Sequence, residues 1–164
     1  MKFDNLNEIP LGLSGKLFRS PMPFARFDEG KTTFQEYLDA GINTVVMLVE
    51  EGEDLHYTGK DLKEEYARHQ MAVIHYPIPD FDTPEAGAEF KATLQDVAAR
   101  CQDGENVAVH CFAGRGRTGL FIALLSRKIL GLEGQESIIF VRQFFPAVET
   151  QAQEKLVRDF VLDE

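Results

Sequence analysis

The ten residues from His110 to Gly119, which read HCFAGRGRTG, constrain the fold of this chain more than any other segment. They follow the apolar run Val107-Ala108-Val109 and precede a longer apolar run that starts at Leu120. A short apolar run bounded by turn residues is typical of a buried strand, and the longer run after the loop is typical of a helix. The segment therefore predicts a buried strand, a tight glycine-containing loop and a buried helix in direct succession.

The predicted loop has the composition of an anion-binding nest. Successive backbone N–H groups of such a loop can turn inward, and the helix N-terminus adds roughly half a positive charge at the same point. Cys111 ends the strand and Arg117 opens the helix, with five residues between them. The nest favours the thiolate of Cys111, which is the nucleophilic form of a cysteine. A cation at a helix N-terminus opposes the dipole, so Arg117 indicates that an anion lies nearby.

The rest of the chain alternates between strand and helix patterns. Strands are predicted at 16–20, 43–49, 71–76 and 106–110, and helices at 33–41, 59–70, 83–101, 117–130, 136–145 and 150–162. Strands separated by helices imply an α/β fold, with a single largely parallel central sheet flanked by helices on both faces. Ligands of such sheets bind at the carboxyl ends of the strands, where His110 and Cys111 are expected to lie.

Length and composition fit one globular domain. We expect it to span residues 1–164, with a core from about 16 to 162 and an N-terminal segment at 1–15. Two cysteines make no disulfide framework, and a reactive thiol suits a reducing compartment. With no signal-peptide pattern and no apolar run of roughly 18 residues, the expected location is the cytoplasm, without membrane insertion. The net charge of −10 and the lack of a basic stripe argue against nucleic acid as a partner.

The spacing H-C-x5-R-T from His110 to Thr118 resembles the signature of the cysteine-based protein tyrosine phosphatases. From about Lys16 to Phe160 the chain resembles their small atypical dual-specificity branch. The resemblance implies hydrolysis of phosphomonoesters through a phosphocysteine intermediate on Cys111, with no metal or other cofactor.

The same resemblance assigns roles around the nucleophile. Arg117 would hold the phosphate with two parallel hydrogen bonds, which a lysine could not supply. The Thr118 hydroxyl would help the thiolate to leave, although it could equally bond its own helix backbone. His110 would brace the loop, or be an ordinary buried histidine. The phosphate would be cradled by the loop residues Phe112, Ala113, Gly114, Arg115, Gly116 and Arg117.

A leaving oxygen needs a proton, so a carboxylic acid should approach the nest from a second loop. The segment from Tyr76 to Pro84, YPIPDFDTP, leaves a predicted strand end and resembles the acid loop of the small dual-specificity phosphatases. We assign Asp80 as the general acid. Asp82 is the alternative, although with Glu85 it also has the pattern of a helix cap.

The segment from Val148 to Lys155 resembles the motif that closes these phosphatases, where a polar side chain orients the hydrolytic water. Gln153 and Gln151 are the candidates, with Glu154 a weaker third. Thr150 and Gln153 also have the spacing of a capping box, so a purely structural role stays open.

Arg115 bears on the substrate. Many of the phosphatases in this family that act on proteins carry a small or neutral residue at the position of Arg115. A basic residue there resembles the loop of phosphoinositide phosphatases, but this chain has Phe112 where that loop has its second basic residue.

We expect a monomer that acts on phosphotyrosine, and on phosphoserine or phosphothreonine, in proteins or peptides. Phosphate and vanadate should bind the loop. The alternative substrate is an inositol phosphate or phosphoinositide. A phosphate-binding module without turnover is disfavoured, because Cys111, Arg117 and an acid candidate occur together. A sulfurtransferase or an arsenate reductase is disfavoured by His110 before the cysteine, by the acid loop upstream and by the mid-chain position of the cysteine.

Overall fold

A computed structural model of the chain describes residues 2–85 and 87–162. One five-stranded sheet forms its centre, with strands in the order β1-β2-β5-β3-β4. The strands are β1 (Asn7–Ile9), β2 (Leu17–Ser20), β3 (Thr44–Met47), β4 (Ala72–His75) and β5 (Val107–His110). All neighbouring pairs are parallel except β1 and β2, so the prediction of a largely parallel sheet is confirmed.

Seven α-helices surround the sheet within the described residues. They are α1 (Thr33–Asp39), α2 (Glu53–Thr58), α3 (Leu62–Arg68), α4 (Ala88–Gln102), α5 (Gly116–Leu130), α6 (Gly134–Arg142) and α7 (Gln151–Asp159). The first eleven residues of α5 are all buried, because α4, α6 and α7 pack around this helix. A helix that is buried on every side is apolar around its whole circumference, which explains the apolar run that follows Gly119.

The register of the sheet sets where the chemistry can lie. His110, the last residue of β5, is paired with Ser20 of β2 on one side and with Met47 of β3 on the other. Beyond β3 and β4 the chain stays beside these strands, since Leu48 N–H donates to His110 O and Ile78 N–H donates to Leu48 O. The segments that follow β3, β4 and β5 therefore meet at one edge of the sheet.

Two predicted helices have the wrong boundaries. The helix predicted at 59–70 is shorter in the structure: Gly59, with a left-handed φ of 71°, is the C-cap of α2, and α3 begins at Leu62, where Asp61 caps it by accepting from Glu64 N–H. The helix expected from Thr83 begins instead at Ala88, after Gly87 in an extended conformation. Pro84 disfavours a helical conformation at the residue before it.

The N-terminal edge and the last helices also differ from the sequence pattern. No strand was predicted at Asn7–Ile9, which pairs antiparallel with β2. Helix α6 starts at Gly134 rather than at Glu136, because Glu133 and Glu136 form a capping box there. Helix α7 ends at Asp159, three residues before the predicted end. None of the helices in 2–85 and 87–162 is long and apolar enough to cross a membrane.

Candidate active site

Cys111 lies directly after β5, at the start of a loop that ends where α5 begins at Gly116. The cysteine is 3% exposed. Gly114 has a left-handed φ of 77°, and a Cβ on it would collide with the Ser20 backbone oxygen and the Arg19 guanidinium. Glycine is therefore required here both for the turn and for the close approach of β2.

The carbonyl groups of this loop are all bound by the surrounding scaffold. Phe112 O accepts from Met22 N–H, and Arg115 O accepts from Val148 N–H and Gly119 N–H. The carbonyls of Ala113 and Gly114 accept from a guanidinium. In a planar trans peptide the N–H points opposite to the C=O. The N–H groups of the loop are thus directed away from the scaffold, as an anion-binding nest requires.

Arg19 of β2 holds the loop from outside, and the sequence analysis did not identify it. Its Nε donates to Gly114 O at 3.0 Å, and its Nη2 donates to Ala113 O at 2.9 Å and to Gly114 O at 2.7 Å. Burial lowers its pKa to about 10, against the opposing effect of the nearby Cys111. The available signal is an arginine inside a predicted strand, at 16–20.

Arg117 is 1% exposed and is held by a bidentate ion pair with Glu53. Nη1 donates to Glu53 Oε1 at 2.9 Å, and Nη2 donates to Oε2 at 2.9 Å. Nη1 also donates to Ile78 O at 3.0 Å. Burial alone would lower the pKa of Arg117, but the hydrogen bonds of Glu53 and the negative charge of Cys111 raise it, so the guanidinium stays charged.

Glu53 is the second residue that the sequence analysis missed. It opens α2, in the segment that follows β3, and lies 64 residues from Arg117 in the chain. Burial raises its pKa, but the hydrogen bond from Arg117 prevails and the net shift is downward. The pair therefore carries both charges, and it fixes the plane of the Arg117 fork.

One edge of the Arg117 guanidinium is left for an anion. Nη2 lies 3.3 Å from Asp80 Oδ1, and the buried Nε has no hydrogen-bond partner among the described residues. The Thr118 hydroxyl, which is also buried, has no partner there either. Nε–H and the second Nη2–H lie on the same edge of a guanidinium, so together they can hold two oxygens of one phosphoryl group.

Asp80, and not Asp82, reaches Arg117. The Asp80 side chain is 45% exposed and also accepts from Phe81 N–H. The Asp82 carboxylate accepts from Thr83 N–H, and its residue is exposed. The alternative role of Asp82 as a helix cap is wrong, because α4 begins five residues beyond Thr83 and its first turn takes no side-chain cap.

Gln153 braces the acid loop against the last helix. Its Oε1 accepts from the N–H groups of Glu149 and Thr150, and its Nε2 donates to Asp82 O at 3.1 Å. The capping box with Thr150 is present. Gln153 is fully buried beside Gly116, whereas Gln151, the first residue of α7, is exposed, and Glu154 pairs with Arg142.

His110 is buried behind the loop. Its Nδ1 lies 3.0 Å from Cys111 O, and its Nε2 lies 2.9 Å from the Tyr66 hydroxyl. A carbonyl can only accept, so Nδ1 carries the proton and Nε2 accepts from Tyr66. Burial lowers the pKa of His110 to about 4. The ring is therefore neutral and acts as a brace between α3 and the loop.

The remaining loop side chains form one side of the mouth of the site. The Phe112 ring lies 4.5 Å from the ring of Tyr57 and 5.6 Å from the ring of Phe27. The half-buried Arg115 places its guanidinium carbon 5.2 Å from the centre of the Phe27 ring. Gly116 leaves room for the Glu149 carboxylate, since a Cβ there would lie 2.7 Å from Glu149 Oε1.

Known proteins match both the sequence and this arrangement. Residues 24–128 match a family described as Tc-R-P, polymorphic toxin system, DSP-PTPase phosphatase. Cyclin-dependent kinase inhibitor 3 of Mus musculus is 25% identical over 145 residues, which cover 85% of this chain and 68% of that protein. The match to the Rattus norvegicus protein of the same name covers only 50% of its length.

Two solved structures have the same fold. A crystal structure of kinase associated phosphatase, with its catalytic-site cysteine replaced by serine, has a TM-score of 0.84 at 20% identity and covers 98% of this chain and 96% of that one. Tk-PTP in its active form has a TM-score of 0.75 at 28% identity and covers 93% and 95% of the two chains. The family match extends over more than half of the chain and includes both the acid loop and the Cys111 loop. The chain therefore belongs to the DSP-PTPase phosphatases, phosphoric monoester hydrolases of the small dual-specificity branch of the protein tyrosine phosphatase superfamily.

Proposed function

We propose that the chain removes phosphate from phosphotyrosine in proteins, and also from phosphoserine and phosphothreonine, through a phosphocysteine intermediate. The observation that carries the proposal is the convergence of three segments on one point. Cys111 follows β5, Glu53 with its bound Arg117 follows β3, and Asp80 follows β4 and lies 3.3 Å from the same guanidinium.

In the first step the Cys111 thiolate attacks phosphorus and the bond from phosphorus to the ester oxygen breaks. Asp80 gives its proton to the leaving oxygen. The charge on the phosphoryl oxygens is balanced by the inward N–H groups of the loop and by the free edge of Arg117. Because Glu53 holds the other edge of the guanidinium, this fork is oriented before the substrate arrives.

In the second step water attacks the phosphocysteine, Asp80 takes a proton from that water, and the bond between sulfur and phosphorus breaks. The buried Thr118 hydroxyl, which has no partner among the described residues, is a donor beside the loop and can stabilise the departing thiolate. Gln153 is the candidate for orienting the water. Its amide would have to exchange its present backbone partners for that water, so it also couples water placement to the position of the acid loop.

Phosphotyrosine is favoured by the aromatic side chains around the loop. The rings of Tyr57, Phe112 and Phe27 form a continuous row, and Tyr57 is 54% exposed. Such a row can pack against the phenyl ring of a bound phosphotyrosine, which gives about 0.5–1.5 kcal/mol beyond the burial of area. A phosphoserine has no ring to pack there, so we expect it to be the poorer substrate.

A second candidate substrate, an inositol phosphate or phosphoinositide, is favoured by one observation. Arg115 adds a further cation beside the loop, where a second phosphate could bind. Phosphotyrosine peptides and inositol phosphates should therefore be compared directly, with a chelator present throughout. A higher kcat/KM for the inositol phosphates would reverse the order of the two candidates.

The covalent step is tested by rapid quenching during turnover of a phosphotyrosine peptide. We expect a phosphorylated peptide that contains Cys111 in the wild type and none in Cys111→Ser, whose hydroxyl is not ionised at neutral pH. The serine variant should still bind vanadate, because the loop is held by its carbonyl groups. Turnover by Cys111→Ser would contradict the proposed nucleophile.

A further inference from the structure

The mouth of the site has two walls of different charge: one is acidic, and the other carries arginines as well as carboxylates. One hollow of about 380 Å³ is lined by Glu50, Glu51, Gly52, Glu53, His56, Tyr57 and Asp80. Another hollow, of about 240 Å³, lies against the other side of the loop, and charged residues of both signs line it: Arg19, Arg115, Asp4 and Glu29, together with Phe27 and Ala113. The row of rings from Tyr57 through Phe112 to Phe27 connects the two hollows. A bound chain would therefore meet carboxylates at one end of this row and, at the other end, the arginines that flank Phe27.

Arg26 and Arg115 supply the free positive charge of the second wall. Their guanidinium carbons lie 5.5 and 5.2 Å from the centre of the Phe27 ring. Arg26 is exposed and Arg115 is half-buried. Within the described residues neither has a carboxylate within 4.0 Å, although Asp4 and Glu29 also line the hollow. By contrast, Arg19 is bound to the carbonyl groups of the loop, and Arg117 is paired with Glu53 and keeps free only the edge that would hold the phosphoryl group.

The position of Arg115 is unfavourable without an anion. It is the residue at the N-cap of α5, and the first turn of this helix contains no acidic residue. A cation at a helix N-terminus opposes the macrodipole and costs about 0.3–1 kcal/mol at an exposed site. Glu53 compensates Arg117 in the same turn, but no side chain of the described residues compensates Arg115. A chain with a net charge of −10 nevertheless places two arginines without an ion-pair partner among the described residues against the same ring, Phe27.

From this arrangement we infer that the site selects phosphopeptides with an acidic side chain within two residues of the phosphorylated one, bound by Arg26 and Arg115. The inference rests on the proposed function and names its substrate class. Arg115 ends the same loop that would hold the phosphoryl group, and an extended peptide advances about 3.4 Å per residue. A carboxylate one or two positions from a phosphoryl group held by Arg117 can thus reach the second wall.

A peptide fits this mouth better than a membrane surface does. An anionic bilayer would present negative charge to both walls at once, and the carboxylates Glu50, Glu51 and Asp80 would repel it. A peptide can place an acidic residue at the arginines and a neutral or basic one at the carboxylates. This division of charge favours one direction of binding.

The inference is tested with matched phosphotyrosine peptides in which a single Glu or Gln occupies each of the two positions on either side. For at least one position, the wild type should hydrolyse the Glu peptide with a kcat/KM about fivefold above that of the Gln peptide. This factor corresponds to one exposed ion pair of about 1 kcal/mol. Arg26→Gln and Arg115→Gln should each reduce this ratio, and the double variant should bring it to one or below.

Lys128→Gln is the control for net charge, because this lysine lies in the last turn of α5, about 18 Å along the helix from Gly116. It should keep the wild-type ratio. The ratio compares two peptides on the same variant, so a general loss of activity in that variant affects both values and leaves the ratio unchanged. Equal kcat/KM for Glu and Gln peptides in the wild type, or an unchanged ratio in the double variant, would overturn the inference.

Two other outcomes point elsewhere and are separable from each other. If the double variant loses more kcat/KM on a soluble inositol phosphate than on any peptide, the arginines serve a phosphorylated headgroup and the peptide inference is wrong. If the wild type hydrolyses no phosphopeptide at all, the proposed function itself fails before the ratio can be formed.

Discussion

Replacement of His110 by glutamine should make the stability of this protein less sensitive to acid. The ring is fully buried between Tyr66 and Cys111 O, and burial lowers its pKa from 6.5 to about 4. Between these values the unfolded chain binds a proton that the folded protein does not. Stability therefore rises with pH across this window, and the contribution of His110 is lost as the pH falls from about 6.5 towards 4.

The expected change in the free energy of unfolding is set by the pH range below 6.5 that an experiment can cover. One pKa unit corresponds to about 1.36 kcal/mol, so about 1.5 units between 6.5 and pH 5 give about 2 kcal/mol. The free energy of unfolding should be measured by urea denaturation at about pH 7.5 and at about pH 5. The wild type should lose about 2 kcal/mol more than His110→Gln between these two conditions, whatever the other titrating groups contribute.

The comparison between the two proteins, and not the absolute loss, is the test. The same substitution at His56, which is exposed, is the matched control, and its curve should follow that of the wild type. Equal losses in the wild type and in His110→Gln would mean that His110 is not held neutral in the folded state. A smaller loss in the wild type would mean that the folded protein prefers the charged ring, contrary to the hydrogen bonds assigned here.

Three further changes test the site itself. Arg117→Lys should lower kcat/KM at least tenfold, about 1.4 kcal/mol, because a point charge cannot replace two aligned donors; wild-type rates would remove Arg117 from the site. Asp80→Asn should slow alkyl phosphates far more than activated aryl phosphates in steady-state assays, while Asp82→Asn should change neither; the reverse pattern would make Asp82 the acid. Gly114→Ala should lower the free energy of unfolding by about 1–3 kcal/mol more than Gly12→Ala, measured by urea denaturation, because both glycines have positive φ but only Gly114 is enclosed; equal losses would show that the collision is absent.

The sequence predicts the parts of the site that are contiguous in the chain. The strand, the loop and the buried start of α5 are encoded within about fifteen residues, so the order of Cys111, the glycines and Arg117 is sufficient to identify them. Arg19 and Glu53 could not be found in this way. Their partners lie 95 and 64 residues away, and such contacts depend on strand order and register, which local patterns do not determine.

The wrong boundaries have a similar origin. The helix expected from Thr83 was inferred from a proline at a helix start, but Gln153 holds Asp82 O from the other end of the chain and keeps this segment in a loop. Apolar spacing predicts a helix at 59–70, but Gly59 is the left-handed C-cap of α2 and Asp61 caps α3, so the helix begins only at Leu62. In both places tertiary contacts or backbone conformation outweighed a periodic pattern.

The way the scaffold holds the loop carbonyls has a consequence for the release of product. Inorganic phosphate presents to the N–H groups the same oxygens as the phosphoryl group of a substrate, and a nest shaped in advance by Arg19, Met22 and Val148 binds both. The acid loop is different, because the only hydrogen bond that ties Asp82 to α7 within the described residues is the one from Gln153. We therefore expect the departure of phosphate to depend on outward movement of this loop, which Arg117 holds at one end and Gln153 at the other, and not on relaxation of the nest, so these two contacts would help to set how long the product stays.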